Sequence, residues 1–515
     1  MDHKVARSET AFFMEPSTKD ALRRLADAKH LVVFCGAGVT IDQTGMSWVA
    51  LLEQVFTARS GMETAAKSMD WPQVASALFE KARIDAGAKR KEQQKAVTSR
   101  LASLLYPPQS SRWESGELVD SLAKLAVTAA VRGRSVTLIT TNYDTHLEAR
   151  VQEHVREQHR PRVKVVVAAL EEERRPAKNG EVQIVYMHGR IPQNGKPTGR
   201  CVLTETDYAA TRRSFSRRVS TLIRRSGSAM LILGSSLADP PLIDALASTV
   251  GQSKVPRVAL YPLLPTSIYK HDDYEAALDL MHARCQHLDL DLLFPDFLFQ
   301  VPEFCKELGL AIAAAIPSDH VDGDRRYGKR LDQWWQEFEP VLDKPELASE
   351  VLLETLNTVR DILSQKRHKA PKDEIYRLDL WLRDTPKDRH LVQWASSVGP
   401  IWERALLRRQ ELDLRSKHAT VRGFQSGHPR LYTLDDLGLA EEDETMRWKH
   451  FLVVPVFDSI MDKAASPMLP VGAATLCASS SSPHTLLNAN PKEMSLVVQI
   501  LRDLAGVLRE RSKTT

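Results

Sequence analysis

The sequence is poor in cysteine, in long apolar runs and in charge of one sign, and each shortage removes a class of protein. Five cysteines in 515 residues, Cys35, Cys201, Cys285, Cys305 and Cys477, lie far apart and never as C-x-x-C. Neither a disulfide framework nor a zinc site is expected from them, and they read as small buried side chains. No stretch approaches the roughly 18 apolar residues that span a bilayer, and the first residues, MDHKVARSETAFFMEPS, lack a secretory apolar run. A cytoplasmic chain without a membrane partner is the expectation. Seventy basic residues against 66 acidic ones leave +4, too weak a field to argue for nucleic acid. The arginine stretch RRSFSRR at Arg212–Arg218 reads as the solvated face of a helix, since acidic runs such as Glu171–Glu173 offset it.

What remains is ordinary globular material, 43% hydrophobic and 26% charged, in a chain long enough for two or three domains. Helical spacing of Leu22, Leu25 and Ala26 precedes the run LVVF at Leu31–Phe34. Similar runs follow: Val136–Thr140, Val163–Val167, Val182–Met187, Met230–Leu233 and Arg257–Tyr261. Short unalternating apolar runs fit strands covered on both faces, so residues 1–316 predict an open α/β domain with a Rossmann-like parallel sheet. Residues 49–132 are helical in pattern and read as an insertion, and a helix through FCKELGLAIAAAI is expected to end at Pro317. A linker is expected over 317–345. Residues 346–515 then place strand candidates YRLDLWL, HLVQWAS, FLVVPVF and GAATLCA between a first helix and a closing helix over Pro491–Arg511, an α+β pattern.

Four polar segments stand at the ends of predicted strands. CGAGVTIDQTG carries Gly36, Ala37, Gly38 and Thr40, and its glycines either admit a pyrophosphate to the backbone or mark a tight turn. ITTNYDTHLE carries Thr140, Asn142 and Asp144. Ligands bind outside the carboxyl ends of strands in open α/β sheets, where an Asn amide can hold a water or ribose hydroxyl and an Asp can accept from a carboxamide. The same residues also suit a helix-capping turn. In YMHGRI, His188 has a side chain whose unperturbed pKa of about 6.5 lies near working pH, so it can serve as a general base, or as a hydrogen-bonded structural residue among 16 histidines. LGSSLADPP offers Gly234, Ser235 and Ser236 as donors to a ribose or phosphate, or as a capped turn.

Taken in order, GAG with Thr40, then Thr140, Asn142 and Asp144, then His188–Gly189, then Gly234–Leu237, this set resembles the sirtuin family and its bacterial sirtuin-like relatives over roughly residues 18–310. The resemblance implies NAD as substrate, with Asn142 and His188 catalytic. It also implies that Asp144 holds the carboxamide, and that Gly36, Ala37, Gly38, Thr40, Thr140, Gly234, Ser235 and Ser236 complete the NAD site. The chain departs from deacylating sirtuins in lacking their four-cysteine zinc module and in having GMSWVALL where those enzymes carry a Pro-Asp-Phe-Arg segment. TTNYD and the Trp48 that follows GAG are similar to bacterial sirtuin-like NADases that deplete NAD during antiphage defence. Hydrolysis to nicotinamide and ADP-ribose, or to its cyclic form, is the leading expectation, without a metal. NAD-dependent deacylation and a non-catalytic NAD-responsive module are the alternatives. VRGFQSG, FLVVPVF and LPVGAATLCASS resemble a GAF domain, which implies a homo-oligomer and a small-molecule or protein trigger acting through the C-terminal half.

Overall fold

The computed structural model describes residues 11–44, 48–56, 69–106, 117–157, 163–172, 175–194, 196–251, 255–262, 271–295, 298, 300–314, 336–341, 343–364, 374–383, 390–401, 407–412, 416–427, 429–434, 436–439, 446–457, 470–479, 486 and 491–514. Gly45 and residues 317–335 of the expected linker lie outside them.

The N-terminal half is built on seven parallel strands: β1 (His30–Cys35), β2 (Ser135–Thr140), β3 (Lys164–Ala169), β4 (Glu181–Tyr186), β5 (Ser228–Leu233), β6 (Arg257–Leu260) and β7 (Asp291–Leu293). Their order is β3-β4-β2-β1-β5-β6-β7. The predicted parallel α/β sheet is therefore present. β1 pairs in step with both neighbours, Cys35 lying opposite Thr140 on β2 and Leu233 on β5. The carboxyl ends of these strands consequently stand level.

Alternate residues of each strand enter different cores, the physical consequence of the period-2 backbone. Leu31, Val33, Leu138, Ile184 and Leu231 pack with helices α1 (Pro16–Ala26), α5 (Glu117–Val131), α6 (His146–Glu157) and α10 (Gln300–Ala313). Val32, Phe34, Ile139, Val185 and Ile232 face α7 (Glu205–Ile223), α8 (Pro240–Ala247) and the end of α9 (His271–His287). Burial on both faces explains why the strands read as unbroken apolar runs.

Between β1 and β2 the chain forms α2 (Trp48–Phe56), α3 (Trp71–Asp85) and α4 (Arg90–Leu105) before reaching α5. The last of these four helices belongs to the sheet's own core. The other three make a separate core, in which Leu52, Phe79, Val97 and Leu101 meet Tyr143, Ile191, Cys201 and Leu203. Trp48 stacks on Tyr143 with ring centroids 6.4 Å apart. The helical cap thus sits over residues that follow β2 and β4.

The C-terminal half begins with α11 (Pro345–Ser364) and holds a six-stranded sheet of β8 (Tyr376–Arg383), β9 (His390–Ser396), β10 (Arg409–Glu411), β11 (Arg430–Thr433), β12 (His450–Phe457) and β13 (Pro470–Ala478). The order is β10-β9-β8-β13-β12-β11 with antiparallel pairings. The segment ATVRGFQSGHPRLY divides into α12 (Ala419–Ser426) and β11, with Gly427 at φ 68° ending the helix. The expected single closing helix is two, α13 (Pro491–Arg502) and α14 (Leu504–Thr514), parted at Asp503. Phe338 and Val341, inside the stretch expected as linker, are buried in this second core. Among the described residues, no helix is long and apolar enough to cross a membrane.

Candidate active site

β1 and β5 end side by side, and the loops that leave them touch backbone to backbone. The Gly36 N–H donates to Leu233 O and the Gly38 N–H to Gly234 O, each over 2.9 Å. A Cβ on Gly36 would lie 2.4 Å from Gly234 O, and one on Gly234 would lie 2.5 Å from the Val39 nitrogen. Gly234 also adopts φ +61°, open to glycine at no steric cost. The glycines expected to admit a pyrophosphate therefore serve first to lock two loops together, and the Gly36 and Gly38 N–H groups are already used. Ala37 and Ser236 are the exposed members of these turns.

The polar cluster after β2 is wired to the loop after β1 through Thr40. Thr40 Oγ1 donates to Asp144 Oδ2 over 2.8 Å and accepts from Asn142 Nδ2 over 3.0 Å. Thr140 Oγ1 accepts the Asn142 backbone N–H at 3.0 Å, and Asp144 Oδ1 accepts the His146 N–H at 3.1 Å, capping α6. Thr40, Thr140 and Asp144 are buried while Asn142 is half-buried. Both Asp144 oxygens thus accept one local bond each, with a lone pair to spare on each, and Thr140 and Thr40 form a floor that orients Asn142. With Nδ2 bonded to Thr40, the amide oxygen is the Asn142 atom suited to accept from a water or a ribose hydroxyl.

His188 follows β4, the hydrogen-bonded neighbour of β2. Its ring is 4% exposed and meets Tyr208 edge-on at 5.2 Å and Phe215 at 5.9 Å. Burial pushes its pKa down to about 3, so the imidazole is neutral near pH 7. Nε2 is buried without a hydrogen-bond partner and faces Asp239 Oδ2 at 3.6 Å. Burial raises the Asp239 carboxyl to about 6. Gly189 turns the chain at φ +93°, where a Cβ would meet Arg200 O at 2.6 Å. Beyond it, Arg190 forms a two-pronged pair with Glu148, both contacts at 2.8 Å, and Glu148 also accepts from Tyr186 Oη at 3.1 Å. This pair ties the His188 loop to α6 and hence to the Asn142 loop.

The four predicted segments thus converge on contiguous strands, β4-β2-β1-β5, with direct contacts joining the first to the second and to the fourth. Residues 136–283 match the family model of the SIR2-like domain. The matched stretch runs from β2 into α9 and holds Asn142, His188, Gly234–Ser236 and Asp239. The glycine loop after β1 lies before it. Proteins of the SIR2-like family use NAD, and the polar side chains of these loops lie together at the strand ends. A comparison with curated proteins finds no match. Among the described residues, no group of three or more His, Cys, Asp and Glu is arranged to hold a metal ion.

Sequence reading missed Asp239, Tyr143, Tyr106 and the Glu148–Arg190 pair around these loops. Tyr106 Oη donates to Ile191 O at 2.6 Å and accepts the Thr145 N–H at 2.7 Å, pinning the cap to both loops. A tyrosine at the end of a helix 39 residues from its partner leaves no local signal. Asp239 did carry one, since Asp-Pro-Pro is a helix-start pattern, but that pattern speaks only of capping.

Proposed function

We propose that the SIR2-like domain hydrolyses NAD at the bond between nicotinamide and ribose, giving nicotinamide and ADP-ribose. The observation that carries this reading is the anchored Asn142 amide beside the His188 strand within a stretch that matches the SIR2-like domain. Cleavage passes through an oxocarbenium-like ribose with neutral nicotinamide departing, so the protein has to position the ribose, favour the developing positive charge and deliver water. Asn142 Oδ1 accepts a hydrogen from the water or from a ribose hydroxyl and sets its approach. Neutral His188 takes the proton released when water adds, so that NAD and water become nicotinamide, ADP-ribose and one proton. Ala37, Ser235 and Ser236 supply the open face of the two turns toward the rest of the dinucleotide.

The C-terminal antiparallel sheet flanked by terminal helices supports a GAF-like module that senses a trigger or pairs subunits. In this reading the chain is a cytoplasmic, homo-oligomeric NAD-consuming effector of antiphage defence. Incubation of the purified protein with NAD, with nicotinamide and ADP-ribose followed by chromatography, tests the activity. Release by the wild type and none by Asn142→Ala or His188→Ala is expected. Release that persists in both folded variants overturns the assignment of the site, and failure of the wild type to bind NAD overturns the reading itself.

A further inference from the structure

The helix that follows β5 begins in an unusual way. Asp239 is the N-cap of α8, and its Oδ1 accepts the Leu242 N–H at 3.2 Å. The first two helical residues are Pro240 and Pro241, which have no N–H to give. A cap in this position therefore has one nearby amide to serve, and one oxygen is sufficient. The second oxygen, Oδ2, is turned toward His188 Nε2 at 3.6 Å, a nitrogen with no hydrogen-bond partner in a nearly closed environment. Capping alone does not call for a carboxylate in that place, because Ser, Thr or Asn caps a helix as well. Placing a carboxyl group among apolar side chains is costly unless something compensates it. The other groups around the ring contribute no acceptor of this kind in the described contacts: Tyr208 and Phe215 of α7 present ring contacts, Asp70 acts on Tyr208, and Asp244 of α8 is paired with Arg212.

We propose that Asp239 is the positioning residue for His188: Oδ2 accepts the Nε2–H, holds the imidazole in that tautomer and leaves the Nδ1 lone pair to receive the proton of the attacking water or of a ribose hydroxyl. The proton moves from that oxygen to Nδ1, and the carboxylate then stabilises the imidazolium without itself taking the proton. The 3.6 Å separation exceeds an ordinary hydrogen bond by about 0.6 Å, a gap that a small shift of either side chain closes. The same residue also fixes the loop that carries Gly234–Ser236, because the cap it makes starts α8 directly after that loop. The inference rests on the NADase reading.

Asp239→Asn and Asp239→Ser both keep a competent cap, so each is expected to fold with a melting temperature close to that of the wild type. With NAD, kcat is expected to fall roughly 100-fold or more while KM changes little, as for a residue that acts through a catalytic base. The acid limb of the kcat profile moves to lower pH, because the variant imidazolium has lost its anion. ¹⁵N spectra of histidine-labelled protein, with His188 assigned by His188→Gln, are expected to show Nε2–H in the wild type and a shift toward Nδ1–H in Asp239→Asn. A variant with kcat within about two-fold of wild type and an unmoved acid limb overturns the proposal. So does a loss of kcat that only tracks a loss of melting temperature, which would leave Asp239 a cap and nothing more. Should the wild type prove unable to cleave NAD, the NADase reading fails separately. The tautomer then decides the positioning claim alone, and Nδ1–H in the wild type refutes it.

Discussion

Replacing Thr40 by valine removes one oxygen atom and leaves the side-chain volume almost unchanged, which isolates what the hydroxyl does. That hydroxyl donates to Asp144 Oδ2 at 2.8 Å and accepts from Asn142 Nδ2 at 3.0 Å in a site where Thr40 is 3% exposed. A hydrogen bond to a carboxylate is worth about 1.5–3 kcal/mol and a neutral one about 1 kcal/mol, and no water replaces either inside a closed floor. Asp144 keeps its second bond, to the His146 N–H, so the loss is partial. About 3 kcal/mol of stability should disappear, which for a domain of this size lowers the melting temperature by roughly 5 °C or more. The functional effect should be separate and larger. Asn142 loses the anchor that orients its amide, and kcat for nicotinamide release should fall at least about 10-fold while KM for NAD changes little. Thr40→Ser, which keeps the hydroxyl, should recover most of both. Differential scanning fluorimetry and chromatographic turnover read the two quantities. A valine variant that melts within about 1 °C of wild type and turns over at full rate would refute the Thr40 floor.

Three further outcomes follow from the same geometry. Gly36→Ala puts a methyl group 2.4 Å from Gly234 O, a backbone atom that cannot turn aside, and should lower stability by about 1–3 kcal/mol in chemical denaturation; an unchanged midpoint would show that the two loops are not locked. Arg190→Met strands Glu148 and should cost about 2–4 kcal/mol, with the double variant Glu148→Gln/Arg190→Met losing less than the single one; equal losses would argue against a paired role. His188 has a folded pKa of about 3, below its unfolded value of about 6.5, so the unfolded chain binds the extra proton as pH falls through 6.5. The protein should lose about 2 kcal/mol from this residue between pH 7 and pH 5. Asp239, raised to about 6, acts in the opposite sense over part of that range, its burial costing less as pH falls. His188→Gln should therefore flatten the acid loss of stability, and an identical pH dependence in urea titrations of both proteins would contradict the burial argument.

The legible part of the site was the part written in local order. Strand, Gly-rich turn, strand, Asn/Asp cluster, strand, His-Gly, strand, Gly-Ser-Ser is a pattern along the chain, and parallel strands place their carboxyl ends on one edge of the sheet. Roles within the set were harder to read. Asp144 and Thr140 look like ligand contacts because they are polar residues beside Asn142, yet the fold turns them inward to bond Thr40, the His146 N–H and the Asn142 N–H. Gly36 and Gly38 look like phosphate-cradle glycines, yet their N–H groups serve the β5 loop. A sequence shows which groups can form bonds, and only packing shows which have already done so.

By itself, then, the sequence determined the two-part α/β and antiparallel organisation, through the change from apolar strands interleaved with helices to strands bracketed by two terminal helices, and it determined which four segments could meet. Hydrophobic periodicity and turn chemistry act over a few residues, so one chain read in order is enough to show them. Only the tertiary structure decided that β5 lies against β1, that a helical cap rests on Tyr143 and Ile191, and that Asp239 faces His188 from across the sheet. Those contacts join residues about 50 to 200 positions apart, where the energy comes from burial and pairing that no local pattern encodes.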